Sequence, residues 1–219
     1  FEGKINILAI DLPDHGESPH TQAFTLSHAS EMLSALLSEL TIGTATVLGH
    51  SLGGKVAMLM ALNNPEKVDQ LIIADIAPVT YPDRHSHIFS ALESVELNQI
   101  SARQDADSML KAQIKEPGVR AFLLKSLYKD GEEWKWRFNL QGLKESYDNL
   151  RSWPDISAQF TGPVLFIKGG NSDYITADHQ SDIARIFPRA KAHILQGAGH
   201  WLHAESPDAF NRIVEKTLL

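Results

Sequence analysis

Ser51, His200 and two aspartates, Asp75 and Asp173, are the residues of this chain whose types and spacing suit covalent chemistry. Ser51 stands between Gly49 and Gly53 in the stretch "LGHSLGGK". A serine hydroxyl is a weak nucleophile. An imidazole must take its proton as the new bond forms and hand it on to the leaving group. His200, in "QGAGHWLHAE", is the candidate base. A carboxylate must then fix the tautomer of that imidazole and stabilise its positive charge. Attack on an acyl carbon also needs donors for the oxyanion, and the backbone N–H of Leu52, directly after the serine, is one candidate.

These groups act together only if secondary structure gathers them. The apolar run "TATVLGH" leads into Ser51, and Val56, Leu59, Met60 and Leu62 mark a helix that must stop before Pro65. Strand, sharp turn and helix in that order form a nucleophile elbow, with Gly49 and Gly53 expected where a Cβ would clash. "INILAID", "QLIIADIA", "PVLFIKGG" and the weaker "KAHILQGAGH" read as further buried parallel strands. Between the first two strands, apolar residues from Leu26 to Leu40 recur at helical spacing, with Thr25 as N-cap and Gly43 as stop. "DAFNRIVEKTLL" is a closing amphipathic helix.

Strands alternating with helices predict an α/β protein with a doubly wound, mainly parallel sheet. The predicted core spans residues 1–77 and 159–219. Residues 78–158 interrupt it with helical patterns and the aromatic stretch "EEWKWRFNL", and read as an inserted helical cap. Asp75 closes the strand "LIIAD" and Asp173 follows "PVLFIKGG". Either strand end reaches His200, and spacing alone does not choose between them.

The totals exclude several classes. The 219 residues carry a formal charge of −7 and no Lys/Arg run, which offers nucleic acid no phosphate track. No apolar stretch approaches the ~18 residues that span a bilayer. With no cysteine there are no disulfides, no thiol nucleophile and no thiolate metal site, and a cytoplasmic location is expected. His85-x-His87 and His200-x-x-His203 lack the spacing of a helical zinc site, so neither metal nor cofactor is expected. "DLPDHGESPH", which contains His15-Gly16, reads as a supporting turn after the first strand.

Together "LGHSLGGK", "IIADIAPVTY", "FLLKSLYKDGEEWKWRFNL", "FIKGGNSDYI" and "GAGHWLHAE" resemble the YbfF-type esterases of the α/β-hydrolase superfamily. The resemblance runs from Asp11 almost to the end of the chain. It implies hydrolysis of small to medium acyl esters or acyl-CoA thioesters through an acyl-serine, by a serine triad under a helical cap. It also favours Asp75 over Asp173 as the acid, because the family places the acid after the strand that follows the nucleophile helix. His50, Trp201, Phe122 and Trp136 are the candidate substrate-binding side chains. Phe89, Leu92, Leu123, Leu127, Trp134 and Phe138 line an acyl pocket or form the cap's own core. No strand with a His-Gly loop precedes Phe1, so the N-terminal strands and the second oxyanion donor are expected to be absent from this chain. A carbon–carbon bond hydrolase of the same fold and a non-catalytic ligand-binding homologue are the alternatives.

Overall fold

The protein is described over residues 5–219 in a computed structural model. Its residues form two compact units. Residues 5–8, 25–80 and 152–219 make the first, and residues 9–24 and 81–151 the second.

The first unit is built on four parallel strands, β1 (Ala45–His50), β2 (Val68–Ala74), β5 (Val164–Gly169) and β6 (Ala190–Leu195), in spatial order β1-β2-β5-β6. β2 is central. Its Leu71, Ile72 and Ile73 are fully buried, and burial of each such side chain contributes roughly 1.5–3 kcal/mol. Helix α1 (Leu26–Glu39) and helix α2 (Leu52–Asn63) belong to this unit, as do α8 (Gln180–Ile186), α9 (Leu202–Glu205) and α10 (Pro207–Leu218). In α2 every residue from Gly54 to Leu62 is buried, because α1, β1 and β2 all pack against it. A second cluster joins Ile72, Ile167 and Leu195 of the sheet to Leu202, Phe210 and Val214 of α9 and α10.

Two local expectations are corrected. Residues 5–10 form no strand, although "INILAID" has a strand's composition. A strand requires a hydrogen-bonded neighbour, and among the described residues no ladder reaches this run. Ile7, Leu8 and Ile10 are exposed in consequence. Thr25 does cap α1, its side chain accepting from the His28 N–H. The helix ends at Glu39, however, and the residue that stops it is Thr41, not Gly43. Thr41 takes φ +59°, its N–H donates to the Ser38 carbonyl and the next N–H, of Ile42, donates to the Leu37 carbonyl. That pair of bonds is a Schellman motif, which closes the last carbonyls without needing a glycine.

The second unit contains α3 (Ser86–Glu93), α4 (Arg103–Leu110), α5 (Pro117–Leu123), α6 (Leu140–Glu145) and α7 (Tyr147–Arg151). It also contains a two-stranded hairpin, β3 (Leu127–Asp130) and β4 (Glu133–Trp136), which the helical reading of this region missed. Its two-residue turn is Gly131-Glu132, with Gly131 at φ +60° in the first central position, the place that favours glycine in a type II′ turn. Leu92, Leu110, Ile114 and Leu127 are among the buried residues of this unit's core, with Trp134, Trp136 and Phe138 packed against it. The segment "DLPDHGESPH" joins the same unit through Asp14. Its buried carboxylate accepts from the Thr21 N–H at 2.7 Å, the Thr21 hydroxyl at 2.6 Å and Asn139 Nδ2 at 2.9 Å.

Candidate active site

Four loops leave the carboxyl ends of the four parallel strands, where open α/β sheets place their ligands. Ser51 follows β1, Asp75 follows β2, Ser172 and Tyr174 follow β5, and His200 follows β6. The candidate residues therefore converge because their strands are neighbours in the sheet, not because they are close in sequence.

At the first loop, Ser51 adopts φ +52° and ψ −120°, a conformation that L-residues occupy only under local constraint. The constraint is backbone pairing. Ser51 N–H donates to the Ala74 carbonyl at 3.1 Å, while the Ser51 carbonyl accepts from the N–H groups of Gly54 and Lys55 as α2 begins. A Cβ on Gly49 would collide with the Gly53 carbonyl, so that glycine is required. The expectation for Gly53 is corrected: a Cβ there meets nothing within 4 Å. The second tight position is Gly54, where a Cβ would press on Ile76 Cγ2. Leu52 is the first residue of α2, and the first N–H groups of a helix have no acceptor within it.

Asp75 also has positive φ, +53°, and is fully buried. Its Oδ1 accepts from the Gly169 N–H at 2.9 Å. Its Oδ2 accepts from His200 Nδ1 at 2.8 Å and from the Ser172 hydroxyl. On the other edge of the same imidazole, His200 Nε2 lies 3.1 Å from Ser51 Oγ. A carboxylate only accepts, so the His200 proton sits on Nδ1 and Nε2 faces the serine with its lone pair. Tyr174 stacks on the His200 ring with centroids 3.7 Å apart and planes 14° apart. Asp173, the other candidate acid, is exposed.

The remaining candidates fall in different surroundings. His50 turns its Nε2 to the His200 carbonyl at 2.8 Å, and its ring contacts those of His200, Trp201 and His203. Its pKa falls to about 4: burial is the main cause and the neighbouring His200 the second. Trp201 lies edge-on to His200 at 5.7 Å. In the second unit, Trp136 stacks on Phe138 at 5.3 Å and packs on that unit's core, while Phe122 is 44% exposed. Sequence reasoning missed Ser172 and Tyr174. The stretch "GGNSDY" holds both, but neither residue type signals a contact with a distant histidine or aspartate. Among the described residues, no three His, Asp or Glu side chains gather as a metal site would require. Nor is any of their helices long and apolar enough to cross a membrane.

The profile of the alpha/beta hydrolase family matches residues 1–213. The chain belongs to that family. It is 39% identical over 214 residues to Esterase YbfF of Escherichia coli (strain K12), covering 97% of this chain and 82% of the esterase. To the sn-1-specific diacylglycerol lipase ABHD11 of Mus musculus it is 39% identical over 210 residues, which is 93% of this chain and 68% of the lipase. A solved structure titled "Marine microorganism esterase" superimposes with a TM-score of 0.90 at 34% identity, covering 95% of this chain and 82% of that one. Within the family this hydrolase stands with the YbfF-type esterases, and it is an enzyme.

Proposed function

We propose that this hydrolase cleaves small to medium acyl esters through an acyl-Ser51 intermediate, with His200 as general base and Asp75 as the acid of the triad. The observation that carries the reading is the unbroken line Ser51 Oγ, His200 imidazole, Asp75 carboxylate, at 3.1 and 2.8 Å. His200 Nε2 takes the proton of Ser51 Oγ as that oxygen bonds the acyl carbon, and the Nδ1–H···Asp75 bond stabilises the imidazolium. The Leu52 N–H donates to the oxyanion. Collapse of the tetrahedral species breaks the bond to the leaving oxygen, or to sulfur in a thioester, and His200 returns the proton to it. Water, deprotonated by His200, then attacks the acyl carbon; the Ser51 Oγ–acyl bond breaks, the acid leaves and His200 returns the proton to Ser51 Oγ.

The strained φ of Ser51 supports the role of nucleophile, since backbone strain of this size persists where surrounding structure enforces it. The names of the relatives, esterase and lipase, support an oxygen ester as substrate, and acyl-CoA thioesters are the extension to test. A cysteine-free chain needs no oxidising compartment, which supports a cytoplasmic location.

The test is exposure to a fluorophosphonate, followed by intact mass and peptide mapping. One adduct, on Ser51, is expected. Ser51→Ala should lose the adduct and lower turnover by about 10⁶-fold while keeping its melting temperature. Normal turnover of a folded Ser51→Ala protein would overturn the mechanism. A series of p-nitrophenyl esters set against acyl-CoA substrates then ranks the leaving groups.

A further inference from the structure

The base of the triad sits on a loop, and a loop is the least rigid place for a group that must be held to a fraction of an ångström. Three consecutive residues of that loop have their backbone groups tied by two side chains. The Gly199 N–H donates to Glu205 Oε2 at 2.6 Å and the Trp201 N–H donates to Glu205 Oε1 at 3.2 Å. Between them, the His200 carbonyl meets His50 Nε2 at 2.8 Å. A carbonyl only accepts, so the His50 proton sits on Nε2 and the imidazole is the donor.

His50 is also the residue immediately before Ser51. The nucleophile's own elbow thus reaches across and grips the peptide of the base. We propose that His50, assisted by Glu205, is a positioning residue that fixes the His200 peptide relative to Ser51. This rests on the triad reading above.

The surroundings of His50 suit the task. His200, Trp201 and His203 pack around its ring at 4.7, 5.5 and 4.6 Å. Burial and the two neighbouring histidines disfavour its charge, against the bond to the His200 carbonyl and the Asp75 carboxylate, which favour it. The balance leaves it neutral near pH 7, so no second cation stands beside the imidazolium that forms on His200. Glu205 is exposed, where water competes for the same N–H groups, so it is the smaller contributor.

The decisive variants are His50→Leu, which fills space without a donor, and His50→Gln, whose amide nitrogen reaches the place of Nε2. Both are to be checked for folding by thermal melting. His50→Leu is expected to slow fluorophosphonate labelling of Ser51 and to lower kcat by about 10- to 100-fold, with KM within about twofold, as small misplacements do. His50→Gln should recover to within about fivefold of the wild type, and Glu205→Gln should cost about two- to fivefold. The low-field Nδ1 proton resonance of His200 supplies a readout independent of turnover. It should persist in the Gln variant and exchange away in the Leu variant.

A folded His50→Leu protein that labels at the wild-type rate and keeps that resonance overturns the proposal. So does a Gln variant as slow as Leu, which would reduce His50 to packing. A wild type that is not labelled at Ser51 would instead sink the triad reading. The Nδ1 resonance alone then judges the positioning role: loss in Leu with retention in Gln supports it, and no change across the three proteins overturns it.

Discussion

Asp75, in the first unit, is fully buried and receives donors from Gly169, His200 and Ser172. Asp130, at the hairpin turn of the second unit, is 58% exposed and pairs with Lys135 at 2.8 Å. The two carboxylates have similar contact distances and different consequences. A buried carboxylate deprived of a partner cannot turn to water, so each of its donors constrains where it points. An exposed one exchanges a partner for water at almost no cost. The second unit repeats the exposed pattern at Lys129–Glu132 and Arg151–Asp148. Charge is held in place at the strand ends of the first unit and is loosely held on the hairpin of the second.

The sharpest way to break this comparison is at Asp75, the proposed acid of the triad. Asp75→Asn presents an amide to His200 Nδ1, which favours the wrong tautomer, and turnover is expected to fall by about 10⁴-fold. Asp173→Asn, an exposed change, should stay within about threefold. The two kcat values measured side by side check this, and the reverse ranking would move the acid to Asp173.

Asp14 extends the comparison to a buried carboxylate of the second unit. Burial opposes its charge, but the hydrogen bonds from Thr21 and Asn139, with His20 nearby, outweigh burial and lower its pKa. A lowered folded-state pKa contributes stability above the unfolded carboxylate value, near 4, and that contribution is lost as pH falls through the folded value. Melting temperature should therefore decline with acid more steeply in the wild type than in Asp14→Asn. Parallel curves for the two proteins below pH ~5 would remove Asp14 from the account. At the bottom of the scale, Lys135→Ala removes the exposed partner of Asp130 and should shift the melting temperature by no more than about two degrees.

The elbow was legible in sequence because its signal is local: an apolar strand, a serine among glycines and a helix occupy adjacent residues. His200 was legible through the chemistry that Ser51 demands. The spacing of residues alone did not choose between Asp75 and Asp173, because both follow strands of one sheet; the family resemblance favoured Asp75, and it is the Asp75 carboxylate that meets His200 Nδ1. Ser172 and Tyr174 escaped because their contacts with Asp75 and His200 exist only once the strands are assembled, and Glu205 because no short motif announces a carboxylate folding back on the loop before it. "INILAID" misled in the opposite sense, as composition supplies a propensity for extended chain but no ladder partner. Gly53 and Gly54 differ by a single position, and periodicity cannot say which one faces Ile76.

The contact at Gly54 reaches beyond the mechanics of the turn. The helix that follows Ser51 and the chain just past Asp75 are separated at that point by the room a missing methyl leaves. Substitutions at 54 and 76 are therefore not independent. A lineage that acquires alanine at 54 must first replace Ile76 by a residue unbranched at Cβ, because valine keeps the Cγ2 that the new Cβ would meet; the change at 76 comes first and the addition at 54 second. Drift through this part of the protein runs along a one-way street.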